Sequence, residues 1–114
     1  MSSSKLESST TMEHLSKYSR LIDSIPWDML ITLAETIRSI NARGNMLYVM
    51  GNGGSSANAA HLVLHLRDRG IRATDLAADA PCITAFANDH SFSQVFQRLL
   101  SSQAVDGDGL FAIS

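Results

Sequence analysis

The chain has 114 residues, of which 45% are hydrophobic and 18% are charged, a composition typical of one soluble globular domain. The formal net charge of −2 provides no basic surface, so we expect no nucleic-acid partner. No apolar run approaches the roughly 20 residues that span a bilayer, and the single cysteine, Cys82, allows no internal disulfide. We therefore expect no membrane association and a cytoplasmic location.

Two amphipathic helices are predicted at the start of the chain. Residues 1–11 form a Ser/Thr-rich polar segment, which we expect to be a flexible tail. Apolar residues then recur every three or four positions across residues 12–25 and again across 27–42, with Pro26 between the two helices and Gly44 after the second. Both helices carry more apolar surface than one sheet face needs. We expect part of it to contact another subunit, with ordinary packing on a sheet as the alternative.

Strands alternate with helices over the rest of the chain. This alternation predicts an α/β fold with a parallel sheet and right-handed crossovers. Three strands make a thin sheet, and the chain stops at the tip of the third strand. We therefore expect the N-terminal portion of a longer protein, the alternative being a short product that folds by assembling with other copies. The predicted strands are residues 46–50, which are continuously apolar, 71–76 and 110–113, and the predicted helices are residues 55–69, 81–86 and 92–103.

A glycine-rich turn after the first strand is the main candidate site. Residues 51–54, Gly-Asn-Gly-Gly, connect the strand to a helix that Ser55 or Ser56 would cap. Glycine allows a backbone to approach a ligand closely, and a helix N-terminus attracts anions. Dinucleotide-binding and Walker A loops are disfavoured, because position 56 is not glycine and no Gly-Lys-Ser/Thr follows. A phosphate or phosphosugar site remains, with Asn52 and Ser55 as hydrogen-bonding side chains; a tight turn without a ligand is the alternative.

Two histidines lie four positions apart on the helix that follows the turn. At this spacing His61 and His65 share one helix face and could together bind a metal such as zinc. A neutral histidine could also act as a general acid or base, and a solvated pair is the alternative. Farther on, Asn88 and Asp89 are predicted to form a loop, where they would serve as a turn and helix cap unless they contact a ligand.

The run from Gly51 to Leu62, GNGGSSANAAHL, closely resembles the sugar isomerase (SIS) domain of phosphoheptose isomerases. Residues 83–96, ITAFANDHSFSQVF, and residues 108–114, DGLFAIS, resemble later segments of that family. The resemblance implies a flavodoxin-like SIS fold over residues 12–114, in a homotetramer whose N-terminal helices form a central bundle. It also implies isomerisation of sedoheptulose 7-phosphate to D-glycero-D-manno-heptose 7-phosphate through an enediol, in the biosynthesis of lipopolysaccharide heptose.

The resemblance also implies roles for single residues. His61 matches a metal-binding histidine, and His65 stands where the isomerases carry a glutamate that serves as catalytic base and metal ligand. We therefore expect His65 to be the base and the second ligand of a zinc ion. Gly109 replaces an apolar residue and is expected to weaken the last strand. The expected substrate contacts are Asn52, Gly53, Gly54, Ser55, Asn88, Asp89 and Ser114, which would begin the phosphate-binding loop.

Two functions from different classes remain open at this stage. The first is a phosphoheptose isomerase, whose further catalytic glutamine and metal-binding histidine would follow Ser114, so that the 114-residue chain alone would lack a complete site. The second is a non-catalytic phosphosugar-binding protein that acts as a regulator or a scaffold. The fold cannot distinguish between them. The glycine turn favours the enzyme, and His65 in place of an acid favours the binding protein.

Overall fold

The computed structural model describes residues 3–114 and, from residue 8 onward, their side chains. The chain divides into two compact units, the first ending at Leu33 and the second comprising Ala34–Ser114. The elements in chain order are α1 (Ser3–Asp23), α2 (Trp27–Ala42), β1 (Leu47–Met50), α3 (Gly54–Asp68), β2 (Ala73–Asp75), α4 (Ala80–Asp89), α5 (Val95–Ser101) and β3 (Gly109–Ala112), with single 3-10 turns at Leu76–Ala78 and Phe92–Gln94.

The first unit contains α1, which is longer than its apolar pattern predicts. Residues 3–11, expected to be a polar tail, are helical, because no proline or glycine occurs before Asp23 to end the helix. Met1 and Ser2 lie outside the described residues. The predicted apolar stripe is present and exposed. Met12, Leu15, Tyr18, Leu21 and Ile22 are each 55–64% exposed.

The second unit is built on a parallel sheet of three strands in the order β2-β1-β3. The prediction that the first strand is central is confirmed, and its side chains alternate between the two faces. Leu47 and Val49 point towards α3 and the end of α2, whereas Tyr48 points towards α5. The predicted α/β fold with a parallel sheet is thus confirmed, with helices on both faces of the sheet. The buried cluster on one face comprises Ile40, Leu47, Val49, Ala59, Val63 and Ala73, and the cluster on the other comprises Tyr48, Leu76, Val95 and Leu99.

Predicted element boundaries are also wrong in the second unit. The predicted helix over residues 92–103 is divided into the 3-10 turn Phe92–Gln94 and the shorter α5, Val95–Ser101. Strand β2 ends at Asp75, because the Asp75 carboxylate accepts the N–H of Ala77 at 3.0 Å and starts a 3-10 turn. Asn88 and Asp89 form the last turn of α4 rather than a loop. That helix begins where the Asp79 carboxylate accepts the N–H of Cys82, and it contains no glycine that would end it earlier.

No helix within residues 3–114 is both long enough and apolar enough to cross a bilayer. α1 has the length for a crossing but is rich in serine, threonine and charged residues.

The side chain of Asp108, the residue before β3, is hydrogen-bonded to the residues that precede β1. Its Oδ1 accepts the Met46 N–H and the Asn45 amide, each at 2.9 Å, and its Oδ2 accepts the Val105 N–H at 2.9 Å. These bonds, first of all the one from Met46, lower the pKa of the Asp108 carboxyl below its usual value.

Replacing this carboxylate should lower stability and flatten its dependence on pH. Because the folded-state pKa of Asp108 is lowered, its contribution is complete above the unfolded-state pKa and is lost as pH falls through the folded-state pKa. Asp108→Asn turns an NH2 group towards a backbone N–H, so we expect the Tm at pH 7 to fall by several degrees. Because the variant has no carboxylate to protonate, we also expect its Tm to decrease less on acidification. Thermal denaturation from neutral to acidic pH tests this, with the exposed Asp106→Asn as control. An equal effect of the two changes would contradict it.

Candidate functional site

The glycine turn between β1 and α3 is held by close packing and by its own hydrogen bonds. Gly51 is buried, and a Cβ on it would lie 2.6 Å from the carbonyl carbon and oxygen of Ser55. Gly53 takes a φ of 56° and is the N-cap of α3, so the prediction of a serine cap is wrong. The N–H groups of Ser55 and Ser56 donate to the Asn52 carbonyl at 3.0 and 3.4 Å. A bound anion would therefore find fewer free N–H groups than an uncapped helix offers.

A cleft of about 290 Å³ opens beside this turn, at the carboxyl ends of β1 and β3. It brings together three predicted site residues, Asn52, Ser55 and Ser114. They meet because the two strands are parallel neighbours, and ligands in open α/β sheets bind at this edge. The bond from the Ile113 N–H to the Met50 carbonyl, 2.9 Å, fixes the two strand ends against each other.

The polar side chains of this cleft are available to a ligand. Within residues 8–114, the amide of Asn52 and the hydroxyls of Ser55 and Ser114 make no hydrogen bond to another protein group. Asn52 and Ser114 are exposed and Ser55 is half-buried. Polar side chains that converge in a cleft without other hydrogen-bond partners, next to apolar lining residues, are typical of a small-molecule site.

The other predicted substrate contacts do not line this cleft. Gly53 and Gly54 are not among its lining residues, and a Cβ on either would meet no heavy atom within 4 Å. Asn88 and Asp89 are exposed at the end of α4 and bond to each other, Nδ2 to Oδ1, at 3.2 Å. Their roles in binding a sugar stay predictions.

The apolar side chains that line one side of the cleft are not evident from the sequence. Phe96 of α5 lines the cleft together with Met50 and Ile113, and it also packs against the core cluster around Tyr48. Its position in the apolar stripe of its helix indicates burial. Nothing in that pattern distinguishes a core residue from one that also faces a cleft.

The two histidines of α3 form a pair outside the cleft. Their Nε2 atoms lie 2.9 Å apart, one ring donating to the other, and both side chains are exposed. A tetrahedral zinc ion with Zn–N bonds of about 2.0–2.1 Å would need these atoms about 3.3 Å apart, which a small rotation of either ring provides. No group of three metal-ligand side chains occurs within the described part of the chain. His61 and His65 thus supply two ligands of the right type and leave a zinc site incomplete.

A larger cleft of about 660 Å³ lies between α3 and the outer edge of β2. Its charged side chains are occupied in holding the backbone. Arg67 Nε donates to the Ala73 carbonyl at 2.8 Å, and Asp75 and Asp79 accept backbone N–H groups at the starts of helical turns. It contains none of the predicted substrate contacts, so the smaller cleft is the candidate site.

Sequence comparisons find phosphoheptose isomerases. No protein-family model matches the chain. It is 39% identical over 93 residues to the phosphoheptose isomerase of Pelobacter propionicus, covering 76% of this chain and 47% of that protein. It is 30% identical over 109 residues to that of Geotalea uraniireducens, covering 88% of this chain and 58% of that protein.

Solved structures of phosphoheptose isomerases have the same fold as this chain. The phosphoheptose isomerase of Neisseria gonorrhoeae superposes with a TM-score of 0.85 at 24% identity, over 96% of this chain and 60% of that chain. The enzyme from Francisella tularensis gives 0.82 at 25% identity, over 98% of this chain and 60% of that chain. The chain spans about half the length of the curated relatives it matches. In sequence and in fold, the chain is therefore phosphoheptose isomerase-like.

Proposed function

We propose that the chain is part of a phosphosugar isomerase that interconverts sedoheptulose 7-phosphate and D-glycero-D-manno-heptose 7-phosphate. The observation that carries this proposal is the cleft in which Asn52, Ser55 and Ser114 converge. The similarity to proteins named phosphoheptose isomerase supports the choice of substrate. Such an enzyme would act in the cytoplasm and supply heptose for lipopolysaccharide.

The isomerisation needs a base that moves a proton between neighbouring carbons through an enediol. His65 is the residue that we propose for this role. Along α3, at about 1.5 Å per residue, His61 lies about 9 Å and His65 about 15 Å beyond Ser55. A sugar phosphate in the cleft must therefore extend along the helix for its carbonyl end to approach the histidines. Gly53 and Gly54, where a Cβ would meet no heavy atom within 4 Å, would border that path, and Asn88 and Asp89 would contact the sugar hydroxyls.

We further propose that the protein binds zinc and forms a homotetramer. The paired Nε2 atoms of His61 and His65 support zinc binding, and an ion held there would supply a Lewis acid. The exposed apolar stripe of α1 supports a bundle with the same helix of other copies, because burying apolar surface drives association.

A non-catalytic phosphosugar-binding protein is the second candidate. It is favoured by a specific observation, the exposed imidazole of His65 at the position where the resemblance implies a catalytic glutamate. An imidazole can bind zinc and take up a proton, but it is neutral where a carboxylate is charged, so it would support the enediol chemistry differently. The chain would then bind the sugar phosphate without converting it.

The test is to measure binding and turnover of sedoheptulose 7-phosphate by the 114-residue chain. We expect Asn52→Ala and Ser55→Ala each to weaken binding about tenfold, the loss of one hydrogen bond of roughly 1–1.5 kcal/mol. Asn58→Ala and Ser56→Ala, which change residues outside the cleft, should bind normally. Calorimetry measures the affinity, and NMR follows the isomerisation.

The outcomes separate the two candidates. Binding with turnover supports the isomerase. Binding without turnover, followed by turnover in His65→Glu, identifies that residue as the cause of inactivity. Binding without turnover in either form shows that the 114-residue chain binds the sugar phosphate but is not by itself an isomerase. Absence of binding, or equal loss in the control variants, would refute a sugar-phosphate site in this cleft.

A further inference from the structure

We propose that Phe96 is a specificity-determining residue of the cleft beside the glycine turn, and that its ring contacts the carbon atoms next to the phosphate group of a bound ester. This contact makes the cleft prefer a phosphate monoester to inorganic phosphate. The inference rests on the proposed function in placing the phosphate group in this cleft. It deepens that function by naming the part of the ligand that an apolar side chain recognises.

The cleft combines polar and apolar lining residues. The amide of Asn52 and the hydroxyls of Ser55 and Ser114 can bind phosphate oxygens, whereas the ring of Phe96 has no hydrogen-bonding group. Inorganic phosphate presents only oxygen atoms, so it gains nothing from an apolar ring. A phosphate ester also presents the C–H groups of its first carbons. The mixed lining therefore suits an ester better than the free ion.

Because no charged group lines the cleft, contacts with the carbon atoms have a large effect on affinity. None of the lining side chains is ionisable within the part of the chain that the structure describes. A guanidinium or ammonium group would bind phosphate strongly, whatever the phosphate is attached to. Burying one CH2 group raises affinity about fourfold. Two carbons against Phe96 would thus favour an ester over the ion by roughly tenfold.

The position of the Phe96 ring is fixed by the core. Phe96 is half-buried and packs against the buried cluster around Tyr48, and it also lines the cleft. Its neighbours on α5, Val95 and Leu99, are 0% and 2% exposed, so the helix cannot shift without disturbing that core. A side chain that is already ordered loses little conformational freedom when a ligand binds. Core packing therefore prepares Phe96 for the contact.

The affinities of the whole chain for inorganic phosphate, ethyl phosphate and sedoheptulose 7-phosphate, measured by NMR titration, test the inference. We expect ethyl phosphate to bind about tenfold more tightly than inorganic phosphate. Phe96→Ala should reduce this preference to about twofold and leave the affinity for inorganic phosphate unchanged. Phe96→Leu, which preserves more of the packing, should give an intermediate preference. Phe92→Ala changes a phenylalanine that is 58% exposed and outside the cleft, so the full preference should remain.

A second measurement uses the unaltered chain and does not depend on the folding of any variant. We expect a nuclear Overhauser effect between the CH2 protons of bound ethyl phosphate and the ring protons of Phe96. The absence of this effect, or equal affinities for ethyl phosphate and inorganic phosphate, would overturn the inference. Equal weakening of all three ligands by Phe96→Ala would assign Phe96 a structural role alone.

The three ligands also separate this inference from the proposed function. A preference for ethyl phosphate that depends on Phe96, without binding of sedoheptulose 7-phosphate, would refute the proposed function and support the role of Phe96. Binding of sedoheptulose 7-phosphate that is equally tight in the unaltered chain and in Phe96→Ala would support the function and overturn the role of Phe96. If none of the three ligands binds, both are refuted.

Discussion

Gly51→Ala is expected to lower the free energy of unfolding by about 3 kcal/mol and the Tm by roughly 10 °C. The added Cβ would lie 2.6 Å from the carbonyl carbon and oxygen of Ser55. These are backbone atoms in the first turn of α3, so no side-chain rotation relieves the overlap. Strand β1 and α3 would have to separate, and the cleft formed at their junction would lose its shape. Urea and thermal denaturation at equal chain concentration measure the loss.

Gly54→Ala is the matched control, three residues farther along the same turn. A Cβ there would meet no heavy atom within 4 Å, and Gly54 has no positive φ. As the first residue of α3, alanine should leave stability unchanged or raise it by up to about 1 kcal/mol. Equal destabilisation by the two changes would contradict the packing argument. Because this variant remains folded, a reduced affinity for sedoheptulose 7-phosphate would report on the ligand path rather than on the fold.

Gly109→Ala is expected to cost about 1–2 kcal/mol, although alanine is the better residue for a strand. Its Cβ would overlap Cδ1 of Ile40 and lie 3.3 Å from Cδ1 of Leu47. Ile40 is 7% exposed and belongs to a buried core cluster, so moving its Cδ1 disturbs that packing. The glycine that the sequence marks as a weak point of β3 is therefore the space into which Ile40 packs.

A double-mutant cycle isolates this contact. Ile40→Val removes Cδ1 and alone should cost about 1 kcal/mol. The two changes together should cost less than their sum by about 1 kcal/mol, because the shortened side chain no longer meets the new Cβ. Ile40→Val combined with Gly54→Ala, which share no contact, should be additive. Additivity of the first pair in urea denaturation would show that Ile40 does not fill the space above Gly109.

Much of the fold is predictable because it follows from local patterns. The apolar run of β1 predicts a buried central strand, and three- and four-residue spacing predicts α2 at its observed bounds. The prediction is less good where local hydrogen bonds compete with periodicity. β2 ends early because Asp75 caps a turn, and α4 continues through Asn88 and Asp89, residue types that also favour turns.

The candidate site was only partly predictable. The glycine turn and its neighbours Asn52 and Ser55 are evident from their order in the chain. The apolar wall containing Phe96 is not, because an apolar stripe gives the same signal for a core residue and for a cleft-lining one. The His61–His65 pair lies outside that cleft because of the direction in which α3 runs, which the composition of the chain does not reveal.

The sequence by itself determined the order and type of most elements, the glycine turn and the similarity to phosphoheptose isomerases, because each depends on residues close together in the chain. Tertiary structure alone decided which distant residues meet. It brought Ser114 beside Asn52 at the ends of two parallel strands, and it placed Ile40 over Gly109. Such contacts depend on strand order and packing, which no local pattern encodes.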